Sequence, residues 1–132
     1  MNERSDQPTV LVVEDLPSAR ELLRIVVQRV DPLLRVILHP TGEEALAWCE
    51  RNLADVVVVD YKLPGMDGLE LISRLRGLST YHTVPILMIT TEADAVSRSA
   101  AALGTVDVLR KPVSPQVLAH RIGTLLRIRG KS

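Results

Sequence analysis

Val56-Val57-Val58-Val59-Asp60-Tyr61-Lys62-Leu63-Pro64-Gly65-Met66-Asp67-Gly68 is the stretch whose reading decides the fold. Four consecutive valines suit a strand that is apolar on both faces, as in the middle of a parallel sheet. The run stops at a carboxylate, so Asp60 is expected at the carboxyl edge of the sheet, where open α/β sheets bind their ligands. Leu63-Pro64-Gly65 reads as a tight turn. Asp67 has the chemistry to cap a helix whose apolar side is Leu71, Ile72, Leu75 and Leu78.

The same grammar recurs on either side. Val10-Leu11-Val12-Val13 is a second apolar run that also ends in acid, at Glu14-Asp15. Pro17 suits a first helical turn, and Ala19, Leu22, Leu23, Val26, Val27 and Val30 repeat at helical spacing until Asp31-Pro32. Leu34 to Leu38 admits Arg35 and reads as a shorter strand nearer an edge. Thr41 and Glu44 form a capping box for a helix through Ala45, Leu46 and Cys49. Pro85 to Ile89 is a fourth strand ending at Thr90-Thr91, and Thr91 with Asp94 predicts a capped helix that runs to Leu103 and stops at Gly104. Val106 to Leu109 is a fifth strand ending in Arg110-Lys111-Pro112. Ser114 and Pro115 start a last helix with Leu118, Ile122 and Leu125 on its apolar side.

Five βα units predict an α/β fold: a five-stranded parallel, doubly wound sheet with helices on both faces and the flavodoxin-like strand order 2-1-3-4-5. In that order strands one and three are neighbours. Glu14, Asp15 and Asp60 then meet at the topological switch point, with Thr90 and Lys111 arriving from the next two strands.

Composition bounds the function. The 132 residues fit one domain, read as a disordered tail over 1–8, a folded domain over 9–129 and a short tail or linker start over 130–132. Sixteen basic residues balance sixteen acidic ones, so no overall field draws nucleic acid or an anionic membrane, and direct nucleic-acid binding is disfavoured. No apolar run approaches the ~20 residues of a membrane span, and Met1 to Gln7 lacks the apolar core of a signal peptide, so the chain is read as cytoplasmic. Cys49, the single cysteine, is expected to be a buried reduced thiol.

Three converging carboxylates repel one another and raise each other's pKa unless a cation intervenes. A hard divalent ion, Mg²⁺, suits oxygen ligands of this kind. Lysine is a point charge suited to a phosphoryl oxygen and threonine can donate a hydrogen bond to another. Carboxylates, metal, lysine and hydroxyl are the parts of a phosphoryl-transfer site, with Asp60 the candidate nucleophile giving an acyl phosphate.

On these residues the chain, from about Thr9 to Arg127, resembles the receiver domain of bacterial two-component response regulators, the chemotaxis-regulator type included. The motifs are the acidic pair Glu14-Asp15, the phosphoacceptor motif from Asp60 to Gly68, the switch threonine Thr90, and Lys111-Pro112. The resemblance implies that a sensor histidine kinase donates phosphate to Asp60. It implies that Asp15, Asp60 and the backbone carbonyl of Lys62 hold Mg²⁺ while Glu14 acts through water, and that the peptide before Pro112 is cis. It also implies a conformational switch that controls an output domain or downstream protein, with a homodimer among the options, and a signalling phosphoacceptor rather than a turnover enzyme. Val108 stands where the family usually carries an aromatic residue, so an aromatic rotamer switch is not expected. Thr91 and Val113 depart from a commoner small residue and a commoner Phe.

Other readings are weaker on the same residues. An aspartyl phosphatase of the haloacid-dehalogenase type needs an acid two residues after its nucleophile, and that position is Lys62. A flavodoxin-like nucleotide binder is opposed by the acidic, glycine-free turn Glu14 to Ser18, which repels phosphate. A degenerate receiver acting as an interaction module shares the fold and differs in not being phosphorylated. His39, His82 and His120 have no ligand spacing and are expected at the surface. Arg121, Arg127, Arg129 and Lys131 make a basic, solvated face on the last helix.

Overall fold

A computed structural model describes residues 7–130. Strands β1 (Thr9–Val13), β2 (Arg35–His39), β3 (Val56–Asp60), β4 (Ile86–Thr90) and β5 (Val106–Arg110) alternate with helices α1 (Pro17–Val30), α2 (Gly42–Cys49), α3 (Gly68–Arg76), α4 (Ala93–Ala101) and α5 (Pro115–Gly130). All pairings are parallel and the strand order is β2-β1-β3-β4-β5, as expected.

The valine run shows why β3 is central. Val56 and Val58 enter one core with Val10, Val12, Leu87 and Ile89 beneath α1 and α5. Val57 and Val59 enter the other with Leu11, Val13, Ile86 and Met88 beneath α2, α3 and α4. A strand buried on both faces needs apolar residues at every position, because successive side chains point to opposite faces. At the β2 edge all five residues are only half-buried, which is where Arg35 can be tolerated.

Several element ends differ from the sequence expectations. α3 stops at Arg76, so Leu78 packs from the following connection and not from the helix. α4 begins at Ala93 after Glu92 with no side-chain cap, and Thr91 does not cap it. Asp94 is instead bound to Arg110, and the amide of Glu92 donates to the Thr90 hydroxyl. The tails of residues 1–6 and 131–132 lie outside the described residues. Gln7 and Pro8, assigned to the N-terminal tail, are tied to the Leu33 carbonyl and the Arg35 amide, and α5 continues through Gly130. Thr41, Asp67 and Ser114 do cap α2, α3 and α5, accepting from the amides of Glu44, Glu70 and Val117.

The end of the sheet opposite Asp60 is fastened by a residue without a sequence signature. Arg76 donates to the carbonyls of Leu103, Tyr81, Val84 and Thr105 at 2.7–3.0 Å. It thereby joins the end of α3 to the connections before β4 and β5, and burial holds its pKa below the usual guanidinium value. Hydrogen bonds to a charged donor are stronger than neutral ones, but partial exposure lets water replace some of them. Arg76→Met is expected to cost about 1–2 kcal/mol of unfolding free energy in urea denaturation. An unchanged midpoint would mean that water satisfies these carbonyls as well as the guanidinium does.

Candidate functional site

The carboxyl ends of β1, β3, β4 and β5 bring the expected residues to one place. Asp60 ends β3 and is 6% exposed, Glu14 follows β1 at 3%, and Thr90 ends β4 at 1%. Lys111, just beyond β5, places its Nζ 3.0 Å from Asp60 Oδ1. Glu14, Asp15 and Asp60 each offer a carboxylate oxygen within 4.8 Å of the other two. Burial pushes the Glu14 carboxyl above its usual pKa; the Leu16 amide bonded to it opposes this, and the Asp60 charge adds to it. The peptide between Lys111 and Pro112 is cis, as the resemblance implied.

The turn after Asp60 is built by packing and by two glycines. A Cβ on Gly68 would lie 2.8 Å from the Asp60 carbonyl oxygen and 2.9 Å from Tyr61 Cα, so only glycine lets α3 start this close to the end of β3. Gly65 has φ of 72°, the left-handed conformation the tight turn requires. The amide of Gly68 donates to the Tyr61 carbonyl and closes the loop.

Sequence reasoning missed two residues that hold this edge. Arg20 on α1 donates to the carbonyls of Glu14 at 2.8 Å and Asp15 at 3.3 Å, which fixes the acidic turn from behind. Glu43 at the start of α2 accepts from the Met66 amide at 3.1 Å and steadies the loop after Asp60. Both sit at polar positions of amphipathic helices, where nothing in the pattern separates them from solvated charges.

Above the site, Lys62 Nζ and Glu92 Oε2 are 2.6 Å apart and bridge the loops after β3 and β4. The Lys62 side chain is thus engaged by a carboxylate, which raises its pKa. The Thr90 hydroxyl accepts from the Glu92 amide at 2.9 Å. A groove of about 470 Å³ opens beside Asp60 between α1 and α5, walled by Leu22, Leu23, Val113 and Leu118, with Thr91 at its rim.

The remaining candidates lie elsewhere. His39 is half-buried against Trp48, with ring centroids 6.3 Å apart, and so is not a surface residue. Its carbonyl accepts from the Glu14 amide, which puts Trp48 two contacts from the acidic cluster. His82 and His120 are exposed, and Cys49 is buried as expected. On α5, Arg121 is paired with Asp107 at 2.6 Å, so that face is not simply solvated.

Mg²⁺ binds oxygens at ~2.1 Å, so ligands of one ion lie roughly 3–4 Å apart. Three carboxylates already within 4.8 Å of one another fit such an ion with small side-chain adjustments. Among the described residues no helix is long and apolar enough to cross a membrane.

Comparison with known proteins agrees with this geometry. The family described as the response regulator receiver domain matches residues 10–123. The cyclic di-GMP phosphodiesterase response regulator RpfG of Xanthomonas campestris is 40% identical over 93% of the chain, which spans 33% of that protein. The phosphate regulon regulatory protein PhoB of Rhizobium meliloti is 34% identical over 91% of the chain, which spans 52% of it. The chain thus covers a third to about half of these two relatives. Among solved structures, the chemotaxis response regulator CheY4 of Vibrio cholerae superposes with a TM-score of 0.82 at 32% identity, covering 91% of this chain and 99% of that one. The receiver domain of a Pseudomonas aeruginosa sensor histidine kinase, solved with magnesium coordinated in its active site cleft, gives 0.79 at 28% identity, with 94% and 98% covered.

Proposed function

Since the chain belongs to the response regulator receiver domain family, we propose that Asp60 is its phosphoacceptor and that a sensor histidine kinase is the donor. The observation that carries the reading is the convergence on one buried carboxylate: Lys111 Nζ at 3.0 Å, with Glu14 and Asp15 close by. An Asp60 oxygen attacks the phosphorus, the bond from phosphorus to the donor imidazole breaks, and the imidazole leaves with a proton from solvent. The product is an acyl phosphate on Asp60. Lys111 neutralises one phosphoryl oxygen, and Thr90 turns its hydroxyl from the Glu92 amide to donate to another. Mg²⁺, when bound, would supply further charge neutralisation; Asp15, Asp60 and the carbonyl of Lys62 would hold it, with buried Glu14 acting through water.

On this reading the domain works in the cytoplasm as a switch that turns over only its own phosphate. It governs an output domain or a partner protein, and a homodimer is one form the switched state takes. The longer relatives, one of them named a phosphodiesterase, support an attached output. Incubation with Mg²⁺ and acetyl phosphate should add one phosphoryl group to the intact mass. A chain that gains none would be an interaction module with a degenerate site.

Mg²⁺ affinity is expected to depend on Asp15 more than on Glu14, because Asp15 is the less buried carboxylate and is assigned direct contact. Asp15→Asn should weaken binding by about tenfold or more, and Glu14→Gln by less. Calorimetry measures both, and Tyr61 beside Asp60 supplies a second, fluorescent readout. Equal or reversed losses would contradict the assignment.

A further inference from the structure

The start of α4 is poorly fixed by its own sequence. Glu92 makes no capping hydrogen bond, and the helix buries only Ala93, Val96 and Ala100, which offer little apolar area. What reaches it from outside is charge. Asp94, in the first turn, is bound to Arg110 at 2.6 Å. Arg110 is the register partner of Thr90, whose hydroxyl accepts from the Glu92 amide. The ion pair therefore spans the segment 90–94 that must rearrange if Thr90 turns toward Asp60. Val108, two residues before Arg110, is a half-buried aliphatic side chain with no large rotamer change to offer.

We propose that Arg110 and Asp94 form an electrostatic latch that holds α4 against β5 in the unphosphorylated state and sets how readily the domain switches. The inference rests on Asp60 and Thr90 having the roles assigned above. When Thr90 leaves Glu92, the amide loses its acceptor, the first turn of α4 shifts, and Asp94 is carried away from Arg110. A contact present in one state only biases the equilibrium by its own free energy. Side-chain exposures of 91% for Asp94 and 53% for Arg110 make that bias small and sensitive to salt. A weak latch can be overcome by one phosphoryl group.

The test is a titration with beryllofluoride, a phosphoryl mimic, in saturating Mg²⁺, followed by amide NMR shifts over residues 90–108. Arg110→Gln and Asp94→Asn should each lower the half-saturating concentration about two- to fivefold. The double variant should match a single one, since the pair is lost once. The gap between wild type and variants should close as salt approaches about 1 M. Arg110→Gln is the decisive single change, because Asp94→Asn also removes a negative charge from a helix start. Unchanged or weaker binding in Arg110→Gln, or additive effects in the double variant, would overturn the latch while leaving the phosphoacceptor assignment intact. Failure of the wild type to bind the mimic would overturn both.

Discussion

Asp60→Asn is expected to abolish phosphorylation while leaving the fold in place. Asparagine is close in size to aspartate, so the end of β3 keeps its packing, but a neutral amide oxygen is a far poorer nucleophile and a poorer ligand for a hard cation. Other side chains near the site cannot replace it. Glu14 is bound to the Leu16 amide at 3.0 Å, so one of its oxygens is already engaged. The Lys111 ammonium that would neutralise the phosphoryl group lies against Asp60, at 3.0 Å. With Mg²⁺ and acetyl phosphate, the wild type should gain one phosphoryl group and the variant none, by intact mass. Continued labelling of the variant would place the acceptor elsewhere. Lys111→Ala tests the same geometry from the other side: the variant should still be labelled, more slowly, and should lose the downstream shift in residues 90–108.

How much of this was legible in the sequence depends on whether a feature is set by period and topology or by a meeting of distant side chains. The valine run, the two acids after Val13 and the lysine after β5 are local signals, and the strand order carries each to the same edge. Asp60, Glu14, Asp15, Thr90 and Lys111 are therefore legible as one group in the sequence. The start of α4 was misread for the opposite reason. Thr91 and Asp94 carry the chemistry of a cap, but the hydroxyl of Thr90 takes the Glu92 amide and Arg110, sixteen residues on, takes Asp94. Arg76, Arg20 and Glu43 were missed similarly, since each grips backbone groups of a loop that its own helix pattern says nothing about. A tertiary competitor for a polar side chain leaves no trace in local spacing.

The lifetime of the phosphoryl group is expected to be set by Lys62 and Glu92. They stand two residues after Asp60 and two after Thr90, on the loops that follow β3 and β4, and their side chains meet at 2.6 Å. Hydrolysis needs a water in line with the bond from phosphorus to Asp60, on the solvent side of the phosphoryl group. That approach is expected to pass between the two loops the pair joins. Side-chain exposures of 68% for Lys62 and 39% for Glu92 mean that the pair contributes little to stability, so its effect belongs to rate. Misplacing one reacting water by a small distance changes a rate on the order of a hundredfold, whereas an exposed pair that opens part of the time obstructs less completely. Lys62→Ala and Glu92→Ala should therefore each speed loss of phosphate by about ten- to a hundredfold, measured as phosphate release after the donor is removed. Either change opens the bridge, so the double variant should hydrolyse no faster than the faster single one. Arg110→Gln separates this gate from the latch at α4: Arg110 is paired with Asp94, whereas the gate is Lys62 with Glu92, so this change should alter the affinity for the mimic with little change in hydrolysis. Wild-type rates in both Lys62→Ala and Glu92→Ala would show that water reaches the phosphoryl group by a route the pair does not cover.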